Sequence, residues 1–240
     1  FLVAFFLANS AFHGVRQENL TQEKTKLAAT LLEAGDAAAG IALLEEAVAE
    51  APDRVAPAYL LADAYLEMGN LKRARDLFGQ VSRLRPSDSR VRFSLGVALM
   101  QLKDWDGARG ELEVAVRLRP EDAAAWTNLG VVHEELGNEE QAIGAYRMAL
   151  EAAPAEIGYY RLGALLTDRE DLVAAVRLLT EGAEAHPSSF AVRFQLAMAR
   201  SRAGQLEAAL GDVEAALRLQ PGEPNATRLR EWIRGQMTER

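Results

Sequence analysis

Six prolines mark out the chain like a ruler. Pro52, Pro86, Pro120 and Pro154 are each 34 residues apart, Pro187 follows after 33, and Pro221 after another 34. With each proline as position 32 of its unit, six units run 21–54, 55–88, 89–122, 123–155, 156–189 and 190–223. Other positions keep the same phase. Position 7 is leucine throughout, at Leu27, Leu61, Leu95, Leu129, Leu162 and Leu196. Position 8 is always small: Ala28, Ala62, Gly96, Gly130, Gly163 and Ala197. Position 20 is also small, from Gly40 through Ala74, Ala108, Ala142 and Ala175 to Ala209. Position 24 is large and apolar: Leu44, Phe78, Leu112, Tyr146, Leu179 and Val213.

A period of this length means a stack of supersecondary units, none of which buries its apolar face alone. Apolar residues recur at spacings of 3 and 4 on both sides of a turn, so each unit is read as two helices. The turn is written as Gly35-Asp36, Gly69-Asn70, Gly137-Asn138 and Gly204-Gln205. The glycine is expected to end the first helix in a left-handed conformation, and Asp36, Asn70 and Asn138 to cap the second. Lys103-Asp104 and Glu170-Asp171 keep the cap and lose the glycine. Small residues at 8 and 20 let the two helices approach, large ones at 7 and 24 fill the space beside them, and the proline stops the second helix. Residues 224–240 are read as a capping helix, with Ala226, Leu229, Trp232, Ile233 and Met237 as its apolar stripe.

The fourth unit is the fullest, with Trp126, Leu129, Gly130, Ala142, Tyr146, Ala149 and Pro154. On these residues the chain resembles the tetratricopeptide-repeat family over residues 21–223. The resemblance implies an all-α fold, a right-handed superhelical solenoid of antiparallel helix pairs. It also places positions 2, 5, 6, 9, 12 and 13 of the first helices on a concave face where partners lie.

Composition narrows the function. Lys and Arg total 27 against 35 Asp and Glu, a formal charge of −8, and no basic run is present, so nucleic acid is not the expected partner. The absence of cysteine removes disulfides, thiolate metal sites and cysteine nucleophiles. His133-Glu134 looks like half of a zinc-protease helix, but the fifth residue is Gly137 and the second imidazole is missing. Phosphate-cradling loops and nucleophile elbows are missing too. The reading is therefore non-catalytic, with neither metal nor cofactor.

On the concave positions, the candidate partner-binding residues are Tyr59, Asp63, Phe93, Val97, Thr127, Asn128, Glu134, Tyr160, Arg161, Phe194 and Met198. Four of the six residues at position 5 are aromatic, which suits a peptide groove and equally suits packing between neighbouring repeats. The family's clamp for acidic chain termini needs two lysines that are absent here, with Phe93 and Ile157 in their places and Val97 where the clamp has asparagine. The acidic inner positions favour a protein or peptide segment with apolar anchors and some positive charge. Glu134 in particular would greet a basic partner.

The expected role is a protein-interaction scaffold that assists assembly of a larger, envelope-associated complex. The alternative is the interaction region of a longer enzyme or membrane sensor with its catalytic domain upstream of residue 1. Residues 1–20 open with eight apolar residues, and Ala8-Asn9-Ser10 has the form of a signal-peptide cleavage site. Export to the periplasm or membrane anchoring is read from this segment, with a cytoplasmic chain as the alternative. The sequence says nothing about oligomeric state.

Overall fold

The computed structural model describes residues 19–238, and the apolar opening segment lies outside them. Among the described residues there are thirteen helices and no strand. Helix α1 covers 19–33. It is followed by α2 (Ala37–Glu50), α3 (Val55–Glu67), α4 (Leu71–Leu84), α5 (Ser89–Gln101), α6 (Trp105–Leu118) and α7 (Ala123–Glu135). The rest are α8 (Glu139–Ala152), α9 (Glu156–Asp168), α10 (Leu172–Ala185), α11 (Phe190–Arg202), α12 (Leu206–Leu219) and α13 (Pro224–Thr238). The chain is an all-α solenoid of helix pairs. It divides into two compact units, one ending at Leu118 and one starting at Arg119. The first contains three helix pairs and the second three pairs followed by α13.

Within each pair the contact is set by position 8 against position 24. All six residues at position 24 are fully buried, Phe78 and Tyr146 among them. The small residue at position 8 sits directly beneath. A Cβ built on Gly96 would stand 2.7 Å from Cγ of Leu112. One on Gly130 would enter the Tyr146 ring, and one on Gly163 would enter Leu179. Ala74, Ala108, Ala142, Ala175 and Ala209 at position 20 are buried completely.

Both helix ends are set by local chemistry. Each second helix stops two residues before its proline, as α4 does at Leu84 before Pro86. The residue preceding proline is forced out of helical geometry, and the proline itself has no N–H to donate. Each first helix closes with a left-handed residue. Gly69 takes φ +74° while its N–H bonds the Leu66 carbonyl, and the Asn70 N–H reaches back to Tyr65 O at 2.8 Å. Lys103 and Glu170 adopt the same conformation, at φ 60° and 61°, without a glycine's freedom. The expected caps are half right. Asp36, Asp104 and Asp171 accept from the backbone N–H three residues on, whereas the Asn70 and Asn138 side chains make no cap bond. The carboxylates bring charge to the positive helix start and the amides do not.

A second regularity is invisible in the spacing. The carbonyl of each proline between repeats accepts a side-chain hydrogen bond. Position 4 supplies the donor three times: Arg92 Nε to Pro86, Trp126 Nε1 to Pro120 and Arg193 Nε to Pro187, at 3.2, 2.8 and 3.0 Å. In the second and fifth repeats position 4 is Ala58 and Tyr159, neither of which has a side-chain N–H. There the carbonyl is met from further along, by Gln80 Nε2 on Pro52 at 2.7 Å and by His186 Nε2 against Pro154 at 2.8 Å. A carbonyl exposed by the broken helix ladder is thereby paired at all five junctions.

Two apolar residues fall outside the core expected for them. The leucine at position 7 is at most 6% exposed from Leu61 to Leu196, yet Leu27 is 54% exposed. In the interior repeats this side chain joins a cluster that includes the preceding pair, as Leu162 does with Tyr146, and no helix pair precedes α1 among the described residues. On α13, Ala226 and Ile233 are buried, Leu229 and Met237 pack on the same cluster, and Trp232 stands 51% exposed. Adjacent residues on a helix point about 100° apart, so Trp232 is turned out of the stripe that Ile233 occupies.

Glycine substitutions separate the two kinds of helix contact. Gly130→Ala should cost about 1–3 kcal/mol in urea unfolding, because the new methyl must displace Tyr146. Gly144 is exposed with open space around it. Gly144→Ala should instead stabilise by up to about 1 kcal/mol, from helix propensity alone.

Candidate functional site

The residues at concave positions lie on the first helices of the repeats, and their surroundings differ between the two units. In the first unit, Tyr59 and Asp63 stand one turn apart on α3, and Phe93 and Val97 one turn apart on α5; all four are half-buried. Tyr59 is committed to packing. Its ring meets Phe78 edge-on at 5.5 Å, its hydroxyl lies 3.1 Å from Ser94 Oγ, and it packs on the cluster of Ala58, Val81 and Val91. Ser94 is at position 6 of its repeat and ties α5 to α3 through this bond, a partnership that no spacing rule indicates.

Asp63 is in a different state. It makes no hydrogen bond or ion pair with the described residues, and partial burial raises its carboxyl above the ordinary value. Glu67, one turn on, raises it further. The carboxylates of this face are therefore uncompensated. An open cleft elsewhere in the same unit, between α4, α5 and α6, contrasts with it. Two of its three arginines are matched internally, Arg75 with Asp76 and Arg92 with Glu111, both at 2.7 Å, and Arg83 has no carboxylate partner among the described residues.

In the second unit Thr127, Asn128, Tyr160, Arg161, Phe194 and Met198 are half-buried on α7, α9 and α11. Here two carboxylates are paired. Glu134 accepts from the Tyr146 hydroxyl at 2.7 Å and faces Arg161 at 3.5 Å. Its carboxylate, expected to await a basic partner, already has a cation and a phenol. Burial holds Tyr146 far above the ordinary tyrosine value, with the Glu134 bond adding to the effect, so this hydroxyl remains a donor. Arg202 is likewise paired with Asp168 at 3.1 Å and donates to the Thr167 carbonyl.

The uncharged residues of this face are less fully engaged. Thr127 returns its hydroxyl to the Ala123 carbonyl. Tyr160 borders the main apolar cluster, and Phe194 stacks on Phe190 with 5.6 Å between centroids and 11° between planes. Asn128 makes no hydrogen bond within the chain, and neither does Gln195, which is only 7% exposed. Gln195 stands at position 6 beside Phe194, in the same place as Asn128 and Arg161 in their repeats. A row of three hydrogen-bonding side chains at one position is legible in the sequence. Which members are unspent is not. The Gln195 amide is not a buried unsatisfied group; it reaches solvent at the edge of a mostly buried side chain, where a partner's polar group can bond it.

Among the described residues no group of three or more His, Asp and Glu side chains is placed to hold a metal. His133 is buried on α7 and His186 is spent on Pro154.

These helix pairs, joined by a left-handed turn and packed small against large, define a class of repeat solenoid. Tetratricopeptide-repeat family models match residues 31–95, 104–157 and 160–224. The chain belongs to the tetratricopeptide-repeat family. No curated protein sequence matches it significantly. Solved structures match in fold. A tetratricopeptide-repeat protein from Parabacteroides merdae is 16% identical, with a TM-score of 0.72 over 91% of this chain and 87% of its own. PilF of Pseudomonas aeruginosa is 17% identical, with a TM-score of 0.71 over 92% of this chain and 99% of its own. YrrB, described as a tetratricopeptide-repeat protein with an unusual peptide-binding site, is 18% identical, with a TM-score of 0.66 over 78% and 97%. No helix among the described residues is long and apolar enough to cross a membrane.

The state of Asp63 has a measurable consequence. A carboxyl raised in the folded chain weakens the fold once ionised, a penalty absent below its unfolded value and complete above its folded one. Asp63→Asn should be more stable than the native chain at neutral pH in thermal unfolding. The gap should close as pH falls through the carboxylate range, and a gap constant with pH would mean that ionisation of Asp63 has no part in it.

Proposed function

We propose that this protein is a non-catalytic scaffold that holds a segment of another protein along the first helices of its repeats. The observation that carries this reading is the second unit's face, where half-buried Tyr160, Phe194 and Met198 flank the unbonded amides of Asn128 and Gln195. Each amide both donates and accepts, so it can pair with the backbone of an extended segment while the apolar residues receive its side chains. The peptide-binding site described for YrrB is consistent with such a use of the fold. The first unit adds Phe93, Val97 and the uncompensated Asp63, which suit an apolar residue followed by a basic one.

The test is capture of a partner followed by measurement of its affinity. Tyr160→Ala with Met198→Ala, and separately Phe93→Ala with Val97→Ala, should each weaken the captured partner by tenfold or more, as expected for residues central to an interface. Circular dichroism should remain helical. Undiminished affinity in both folded variants would rule out this face as the binding surface.

We extend the proposal to assembly of a complex at the bacterial envelope, on the strength of the apolar opening segment alone. Residues 1–20, placed behind an initiator methionine and a short basic stretch, should export a reporter enzyme that is active only outside the cytoplasm. A reporter that stays inside would remove the envelope from the reading.

A further inference from the structure

Helix α13 was expected to close the solenoid with an apolar stripe that included Trp232. The structure turns Trp232 outward, and its indole N–H makes no hydrogen bond with the described residues. The register of the repeats gives this a meaning. With Pro224 as position 1 of a seventh, incomplete repeat, Ala226 and Ile233 fall at positions 3 and 10. Buried residues occupy the same positions in α7 and α11: Ala125 and Val132, then Val192 and Ala199. Glu231 then stands at position 8, where each full repeat has Ala or Gly against its own second helix. That side of α13 is closed by a charge, as a cap requires. Trp232 stands at position 9 and Arg228 at position 5, which in α11 are Met198 and Phe194.

Packing agrees with the register. Helices α9 and α11 touch directly, as do α11 and α13, so these three lie side by side. Phe194 and Leu229 pack on one shared cluster. Arg228, Trp232 and Gly235 form a single stripe along α13 at spacings of four and three. All three are exposed. At Gly235 nothing lies within 4 Å of where a Cβ would stand, so the flank of the indole toward it is uncovered. Exposed tryptophan beside arginine is the composition found at the centres of protein interfaces.

Charge indicates what fits. Of the acidic groups at these positions in the second unit, Glu134 is paired with Arg161 and Asp168 with Arg202, while Glu135 on α7 forms no ion pair with the described residues. Arg228 bonds only the neutral amide oxygen of Asn225, at 2.6 Å, and has no carboxylate partner. Glu231, three residues on, forms no ion pair and points about 100° away from Trp232. The stripe therefore has an unspent cation next to an unspent aromatic ring.

We propose that α13 is a binding element as well as a cap: Trp232 receives an apolar side chain of the partner segment, and Arg228 a carboxylate next to it in that segment. This rests on the scaffold reading above and specifies its C-terminal end.

The test uses the full chain and an array of synthetic twelve-residue peptides. Each peptide carries one Leu, Phe or Trp anchor, and the residues flanking the anchor are varied among Asp, Lys and Ser. The native chain should bind a subset enriched in acidic flanks. Trp232→Ala should weaken those peptides by tenfold or more, and Trp232→Phe should restore most of the loss. Arg228→Glu should shift the preference from acidic to basic flanks without loss of helicity. If native binding is tight but unchanged in Trp232→Ala and Arg228→Glu, the role of α13 is overturned and the scaffold reading stands. If the native chain binds no peptide in the array, both are overturned.

Discussion

The contact on which the fold depends is the seating of a large side chain at position 24 against a residue at position 8 that has almost no side chain. Tyr146 over Gly130 and Leu179 over Gly163 leave no room for a methyl group. This closeness sets how near the two helices of a pair approach, and so where the rest of each helix points. Repeats that share it can stack on one another, because each presents the same surface to the next. The apolar area buried at one such contact is modest. Its strength lies in repetition, since a solenoid sums many equivalent nearest-neighbour terms.

The joints between repeats are governed by polar satisfaction. Proline ends each second helix and leaves its own carbonyl without a ladder partner, and a side-chain N–H then meets that carbonyl at every junction. Arginine and tryptophan at position 4 are unlike in size and charge, but each places an N–H at the same reach. Where position 4 cannot donate, Gln80 or His186 does so from elsewhere. Sequence variability at position 4 therefore conceals a constant feature, a side-chain N–H on the exposed carbonyl that the helix ladder does not use.

Against this uniform framework the candidate face is uneven. Tyr59, Phe194 and Glu134 are partly consumed by internal contacts, to Phe78 and Ser94, to Phe190, and to Tyr146 and Arg161 respectively. Asp63, Asn128, Gln195, Arg228 and Trp232 keep hydrogen-bonding or packing capacity that the chain itself does not use. The two groups look alike in the sequence, because both occupy inward positions of first helices. They part company when neighbouring helices bring, or fail to bring, a complementary atom. Leu27 is apolar and in phase and still is not core, because burial requires a neighbour on that side as well as a suitable side chain; Trp232 is exposed because it lies off the stripe that Ile233 occupies.

What the sequence determined by itself is the periodic part: the helix pairs, their stops at proline, the left-handed turns and the small-against-large seam. These follow from backbone chemistry and from volumes that repeat every 34 residues, so a linear pattern contains them in full. The family resemblance, applied to that register, picked out the candidate positions on the first helices. Only the tertiary structure decided which carboxylates are paired, which amides are idle, which aspartates cap a helix where asparagines do not, and which tryptophan is left exposed. The caps are decided by atoms three residues apart, and side-chain pairings such as Tyr59 with Ser94 and Tyr146 with Glu134 by atoms 12 to 35 residues apart, all meeting or missing by an ångström or two. Spacing along a chain does not encode distances of that size. Packing does.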